Sequence, residues 1–142
     1  MVIREINVEN KTEMQRLRFN EKTLLIRFNG ISNESRIWLI DLYQSYLEHP
    51  TNFTLLCVDN WQGTLGAYRA DIAADLRDEL PDRVINQFLQ NIFYYSCNCS
   101  SLESDRAPEL KALISQLKQD RNLEDEIIVI LANESYNVAI AD

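Results

Sequence analysis

Glycine and proline are scarce, at three residues each in 142. A chain with so few breakers builds long regular elements joined by short links. The scarcity also excludes the familiar glycine-rich phosphate cradles, and neither G-x-x-x-x-G-K-[ST] nor G-x-G-x-x-G occurs. Histidine is nearly absent. The one copy, His49, stands beside Pro50 at the end of an apolar stretch. There it suits the last carbonyls of a helix, and no spacing gives it the partners of a nucleophilic triad. No apolar run approaches the roughly 18 residues of a membrane span. The N-terminal MVIREINVEN alternates charge with apolar residues and is not read as an export signal.

Cysteine comes in an odd number, as Cys57, Cys97 and Cys99. Without an export signal these read as reduced thiols of a cytoplasmic protein. Cys97-Asn98-Cys99 is one residue short of a Cys-x-x-Cys. No second pair or nearby His completes a zinc site, so the cysteines are not expected to hold a metal, and no cofactor is implied. Five Asn-x-Ser/Thr triplets carry no meaning in a chain that is not exported.

What the chain has in excess is negative charge, −8 net. Residues 1–50 balance, with seven Lys/Arg against seven Asp/Glu, whereas residues 51–142 hold seven against fifteen. Such a surface repels nucleic acid and anionic membrane and steers toward basic partners. The plain alternative is that the acids serve solubility. With 46% apolar residues the chain is expected to fold, as a single domain over 1–142.

Residues 2–8 alternate weakly and read as a strand. Asn10 and Glu13 have capping-box spacing and favour a helix over 11–18, against a rival hairpin of MQRLRF with TLLIRF. Residues 23–29 are a strand ended by Gly30. Ser32 or Asn33 caps the following helix, whose Ile37, Trp38, Leu39, Ile40, Leu42, Tyr43, Tyr46 and Leu47 predict heavy burial. Residues 53–58 form the next strand, which makes a parallel βαβ unit. Three helices then follow. They run over 65–80, from Pro81 through Ile92 and Phe93, and from Pro108 to the Lys118/Arg121 turn. The continuous apolar run of 125–131 (DEIIVIL) is a central strand, and 136–140 returns as an antiparallel edge. The fold class is therefore α/β, a small and mostly parallel sheet with a three-helix insertion.

Two sets of residues are candidates for function. At about 100° per residue, Asp71, Asp75, Asp78 and Asp82 fall within a sector of about 60° on one helix face, and Glu79 adjoins them. Asp71, Asp75 and Asp78 have no Lys or Arg three or four residues away. The like-charge pairs each cost about 0.2–0.5 kcal/mol. Either the row meets a basic partner or it is a solvated face paired with Arg from elsewhere. Trp61 and Tyr68 are the candidate anchors beside it. The second set is the rim at the strand carboxyl ends, where Asp59, Asn60 and Glu134 are placed to hold a ligand or a divalent cation.

The favoured reading is a non-enzymatic protein-binding domain, an inhibitor or immunity protein against a basic effector. Its acidity, length and element order resemble those of small inhibitors that neutralise basic nucleases, a likeness of class with no shared motif. One alternative is an adaptor that docks or forms a homo-oligomer through YYSCNCSSL or the 136–140 edge. The other is a small enzyme with a carboxylate site at the rim.

Overall fold

Among the described residues every strand pairing is parallel, and the chain runs back and forth across one five-stranded sheet. The structure is a computed structural model in which residues 2–6, 22–28, 31–48, 50, 52–76, 82–97 and 107–131 are described. The strands are β1 (Val2–Ile6), β2 (Thr23–Phe28), β3 (Thr54–Asp59), β4 (Ile92–Ser96) and β5 (Asp125–Leu131), in the spatial order β1-β5-β2-β3-β4. The helices are α1 (Asn33–Glu48), α2 (Leu65–Leu76), α3 (Asp82–Leu89) and α4 (Pro108–Asp120).

The layering follows from chain direction. The path β2-α1-β3-α2-α3-β4 moves one way across the sheet, and α4 then carries the chain back past β3 and β2 to β5. Parallel crossovers are right-handed, so reversing direction puts the helix on the opposite face. The two cores confirm this. Alternate residues of the strands (Leu25, Leu55, Cys57, Ile92, Tyr94, Val129) pack with α1, α2 and α3. The others (Leu24, Ile26, Phe28, Leu56, Val58, Ile128) pack with Leu110, Ile114 and Leu117 of α4. With both faces covered, β2 and β3 need apolar residues at consecutive positions rather than alternation, and all six residues of β2 are buried.

The expected α/β class, the parallel βαβ unit and the strand over 125–131 are observed, and the insertion between β3 and β5 holds three helices. It also holds a strand that the sequence reading missed. The second helix stops at Leu89, a turn follows at Gln90 and Asn91, and Ile92 and Phe93 open β4 instead of continuing the helix. Phe88, Leu89, Ile92 and Phe93 keep a helical period by coincidence. The run IFYYS is β-branched and aromatic, and as a strand it sends Ile92 and Tyr94 into one core and Phe93 toward the other. The proposed helix over 11–18 and the edge strand 136–140 lie outside the described residues. α1 is less buried than expected, because Ile37 is 56% exposed.

Both caps of the first two helices are local. Ser32 Oγ accepts from Ser35 N–H at 3.1 Å, and Thr64 Oγ1 accepts from Ala67 N–H at 3.1 Å. Under the far ends of α1 and α3, Tyr43, Tyr46 and Phe53 surround Phe88, with ring centroids 5.0, 5.3 and 5.3 Å from it. Phe88 has no exposed surface. Truncation to Ala therefore leaves a cavity under two helices and a strand. Phe88→Ala is expected to cost about 3–5 kcal/mol in urea unfolding. A loss below about 1 kcal/mol would show that this cluster does not join α3 to the sheet.

Candidate functional site

The acidic face of α2 meets a cation from a different helix. Arg36, in the first turns of α1, donates Nη1 to Asp75 Oδ2 and Nη2 to Asp71 Oδ2. The two carboxylates are one helical turn apart, and a single planar guanidinium spans them. Burial works against the charge on Arg36, but the hydrogen bonds and charges of Asp75 and Asp71 outweigh it and raise its pKa. Two acids and one base leave a net negative charge here. The carboxylates remain open to water, at 49% and 40% side-chain exposure. Asp78 and Glu79 lie outside the described residues. Asp82 is the first residue of α3, not a continuation of α2, and its side chain is not described.

The α1 surface next to this triad carries a signal that the sequence reading passed over. Glu34, Ile37, Asp41, Gln44 and Glu48 recur every three or four residues and share one outward stripe. Between that stripe and Arg36 lie Ile40 and Leu47, both half-buried. The mainly polar outer face of α1 thus carries a small apolar patch, exposed Ile37 with half-buried Ile40 and Leu47. Acids border it on both sides, from α1 itself and from α2. The helix reads as apolar almost all round, which hid this.

The aromatic candidates are in contact but are not both at the surface. Tyr68 is fully buried and stacks on Tyr94 with centroids 4.3 Å apart. It has no face to offer a partner, which corrects its assignment as an anchor. Trp61 is half-buried and lies over this pair, 6.1 Å from Tyr68 and 5.7 Å from Tyr94. Tyr94 Oη donates toward the carbonyls of Asp59 and Trp61, at 3.0 and 2.9 Å, and so pins the bend after β3. Gly63 is required beneath the indole, since a Cβ there would lie 2.5 Å from the Trp61 ring.

At the rim, the Asp59 carboxylate is occupied by backbone. Oδ2 accepts from Ile31 N–H at 3.3 Å, and Oδ1 accepts from Asn60 N–H at 2.7 Å. It joins the entry of α1 to the end of β3. Asn60 is exposed beside it. Glu134, the other carboxylate of the proposed pair, lies outside the described residues. Among the described residues no group of three or more His, Cys, Asp or Glu gathers to hold a metal ion. The crevice where an open sheet binds ligands falls between β2 and β5, where chain direction reverses. β5, the last described strand, stands where the first strand stands in a common doubly wound order.

Cys57 is free and fully buried under Tyr68. Burial pushes its thiol up to about 11, with the Tyr68 hydrogen bond and the Arg27 charge pulling the other way. Cys97 is disulfide-bonded, a departure from the expectation of three reduced thiols. No described helix is long and apolar enough to cross a membrane.

No protein-family model matches the chain, and no curated protein matches it. Solved structures do match. One is glucose-6-phosphate dehydrogenase in complex with its substrate glucose-6-phosphate, with a TM-score of 0.66 and 18% identity. The match covers 82% of this chain and 25% of that one. At that identity the likeness is one of fold.

Two measurements follow from this geometry. Gly63→Ala is expected to push the indole off Tyr68 and Tyr94. Acrylamide quenching of tryptophan emission should rise through Trp61 alone, because Trp38 is 1% exposed. Unchanged quenching would mean that the ring does not rest on Gly63. For Cys57, folding favours the protonated thiol. An unfolded thiol ionises near pH 8.5, so this contribution is complete below about pH 8.5 and is lost as pH rises through about 11. Stability should fall on the order of 3 kcal/mol across that window, with Tyr68, whose pKa burial also raises, adding to the fall from about pH 10. Cys57→Ala should flatten the first part of the slope in urea titrations, and an identical slope would locate the titration elsewhere.

Proposed function

We propose that the chain is a non-enzymatic protein-binding domain that docks a basic protein through the outer faces of α1 and α2. The observation that carries this reading is Ile37. It is a large apolar side chain, 56% exposed on a helix whose other large apolar residues are buried or half-buried, with Glu34, Asp41 and Glu48 on one side and the Asp71–Arg36–Asp75 triad on the other. An apolar centre bordered by net negative charge is the arrangement of a recognition surface. The apolar anchor supplies affinity, and the charged border sets the encounter rate and the choice of partner. The net charge of −8 acts in the same direction over longer range. An inhibitor or immunity protein against a basic effector is the specific form we favour.

Arg36 has a definite part in this reading. It holds the two α2 carboxylates in fixed positions, so less side-chain freedom is lost when a partner Lys or Arg arrives. Of the five acids in the candidate set, Asp71 and Asp75 are in the proposed surface, and Tyr68 leaves it. Self-association through the described open edge of β4 is disfavoured, because Arg69 Nε donates to the Ile92 carbonyl on that strand at 2.9 Å.

The test is affinity capture at low salt followed by a salt gradient, with the wild type compared against two variants. A partner held by the wild type should elute as ionic strength rises. Asp71→Lys with Asp75→Lys should slow its association by about tenfold or more. Ile37→Ser should speed its release with little change in the association rate. A partner held equally by all three proteins would remove this face from consideration. Retention at high salt together with loss in Ile37→Ser alone would favour apolar docking, with the acids serving solubility.

A further inference from the structure

On the side of the molecule where β4 begins, two arginines from different layers converge without a carboxylate. Arg69 comes from α2 on one face of the sheet, and Arg121 follows α4 on the other. Both reach around the edge strand β4 to the same ring, with guanidinium carbons 5.2 and 5.3 Å from the Phe93 centroid. Both donate to the same oxygen, the Gln90 carbonyl, each at 3.4 Å. The two nitrogens are therefore no farther apart than two such bonds laid end to end. Arg69 also donates Nε to the Ile92 carbonyl at 2.9 Å, and Arg121 donates Nη2 to Asn91 Oδ1 at 2.8 Å.

Neither guanidinium lies within ion-pair distance of an acid among the described residues, where the ion pairs are made by Lys22, Arg36 and Lys118. The nearest acid in sequence, Asp120, accepts from Gln116 at 2.7 Å. Two half-buried like charges sharing one neutral acceptor, in a protein with an excess of eight negative charges, is an arrangement that costs energy as it stands. Burial lowers both pKa values, and the charge of Arg121 lowers that of Arg69 further. Clefts open on either side of the Gln90 ridge. One of about 500 Å³ is lined by Arg69 with Gly66, Ala70, Ala73 and Leu89. The other, of about 550 Å³, is lined by Arg121 with Tyr46, Asn52, Gln87 and Asn91.

We infer that Arg69 and Arg121 form a binding site for a phosphate-type oxyanion, either free phosphate or the head of a phosphate monoester whose body lies in one of the adjoining clefts. Paired guanidinium forks match the oxygens of a tetrahedral anion and keep donors to spare after their backbone bonds. The backbone bonds and the Phe93 ring fix both forks before the anion arrives, which limits the entropy lost on binding. The site is separate from the α1–α2 face and does not depend on its reading.

The test uses inorganic phosphate as the probe. Thermal unfolding of the full chain is followed in phosphate and in chloride at equal ionic strength and pH, alongside phosphate titration by calorimetry. Phosphate should raise the midpoint beyond chloride. Arg121→Gln should weaken phosphate binding by about tenfold or more, the factor expected when one charged fork is lost. Arg69→Lys keeps the charge and loses the fork, so it should bind with intermediate affinity in a chain that folds. Equal midpoints in phosphate and chloride would overturn the inference, as would a phosphate shift that survives Arg121→Gln. In that event the two arginines serve only to cover the β4 edge. If Arg121→Gln fails to fold, the Arg69→Lys titration decides: affinity equal to wild type counts against the site.

Discussion

A buried cation sets the geometry around which the sheet is assembled. Arg27 lies in the middle of β2 and is 1% exposed. Its Nε donates to Ser35 Oγ in α1 at 2.9 Å, and Nη1 donates to the Val129 carbonyl of β5 at 3.4 Å. Moving a guanidinium out of water costs several kcal/mol, which is recovered only where its donors meet acceptors in good geometry. α1 is therefore not free to slide over β2. Ser35 must stay above Arg27, and the same residue donates its N–H to Ser32 Oγ, the cap of the helix. The buried charge, the start of α1 and the register of β5 against β2 are coupled. The first turn of α1 fixes Arg36, and Arg36 fixes Asp71 and Asp75 on α2. The candidate surface is thus held in place from beneath.

The other end of the sheet is organised by aromatic rings and backbone. Tyr94 reaches from β4 to the carbonyls of Asp59 and Trp61, and Tyr68 fills the space between that hydroxyl and Cys57. Asp59, which a sequence reading assigns to ligand or cation binding, spends both carboxylate oxygens on amide N–H groups from two loops. A carboxylate at the carboxyl end of a strand has two uses, and this one closes the rim on the β2–β3 side. Any ligand chemistry at the sheet rim would then fall to the β2–β5 crevice, as the reversal of chain direction requires.

What was legible in the sequence was what depends on neighbours along the chain. TLLIRF, TLLCVD and DEIIVIL announce covered strands by apolar residues at consecutive positions, and the Ser32/Asn33 pair marks where a helix begins. β4 was not legible, because a strand following directly on a helix can continue its 3.6-residue period by chance, as Phe88, Leu89, Ile92 and Phe93 do. Burial of Tyr68 was not legible either. It depends on Tyr94 rising from an adjacent strand to meet it. The pairing of Arg36 with Asp71 and Asp75 spans more than thirty residues. Local spacing on α2 registers only that the acids lack partners nearby, which left both a solvated face and a binding face open.

Charge placement gives the sharpest contrast between sequence and structure. The sequence total says acidic, and a total carries no position. In the fold, one cation is used to immobilise two surface acids on α2, while two other cations are set side by side where no described acid reaches them. If solubility alone governed the surface, the economical arrangement would pair Arg69 and Arg121 with some of the surplus acids and leave Asp71 and Asp75 dispersed. The observed arrangement does the reverse at both places. It concentrates negative charge around an exposed Ile37 and positive charge around Phe93, and Asp71, Asp75, Arg69 and Arg121 are already held by neighbouring hydrogen bonds. Charges held in fixed positions at the surface contribute little to stability, whereas a charged ligand meets them without having to order them first. That difference is why the two clusters are read as surfaces for something outside the chain.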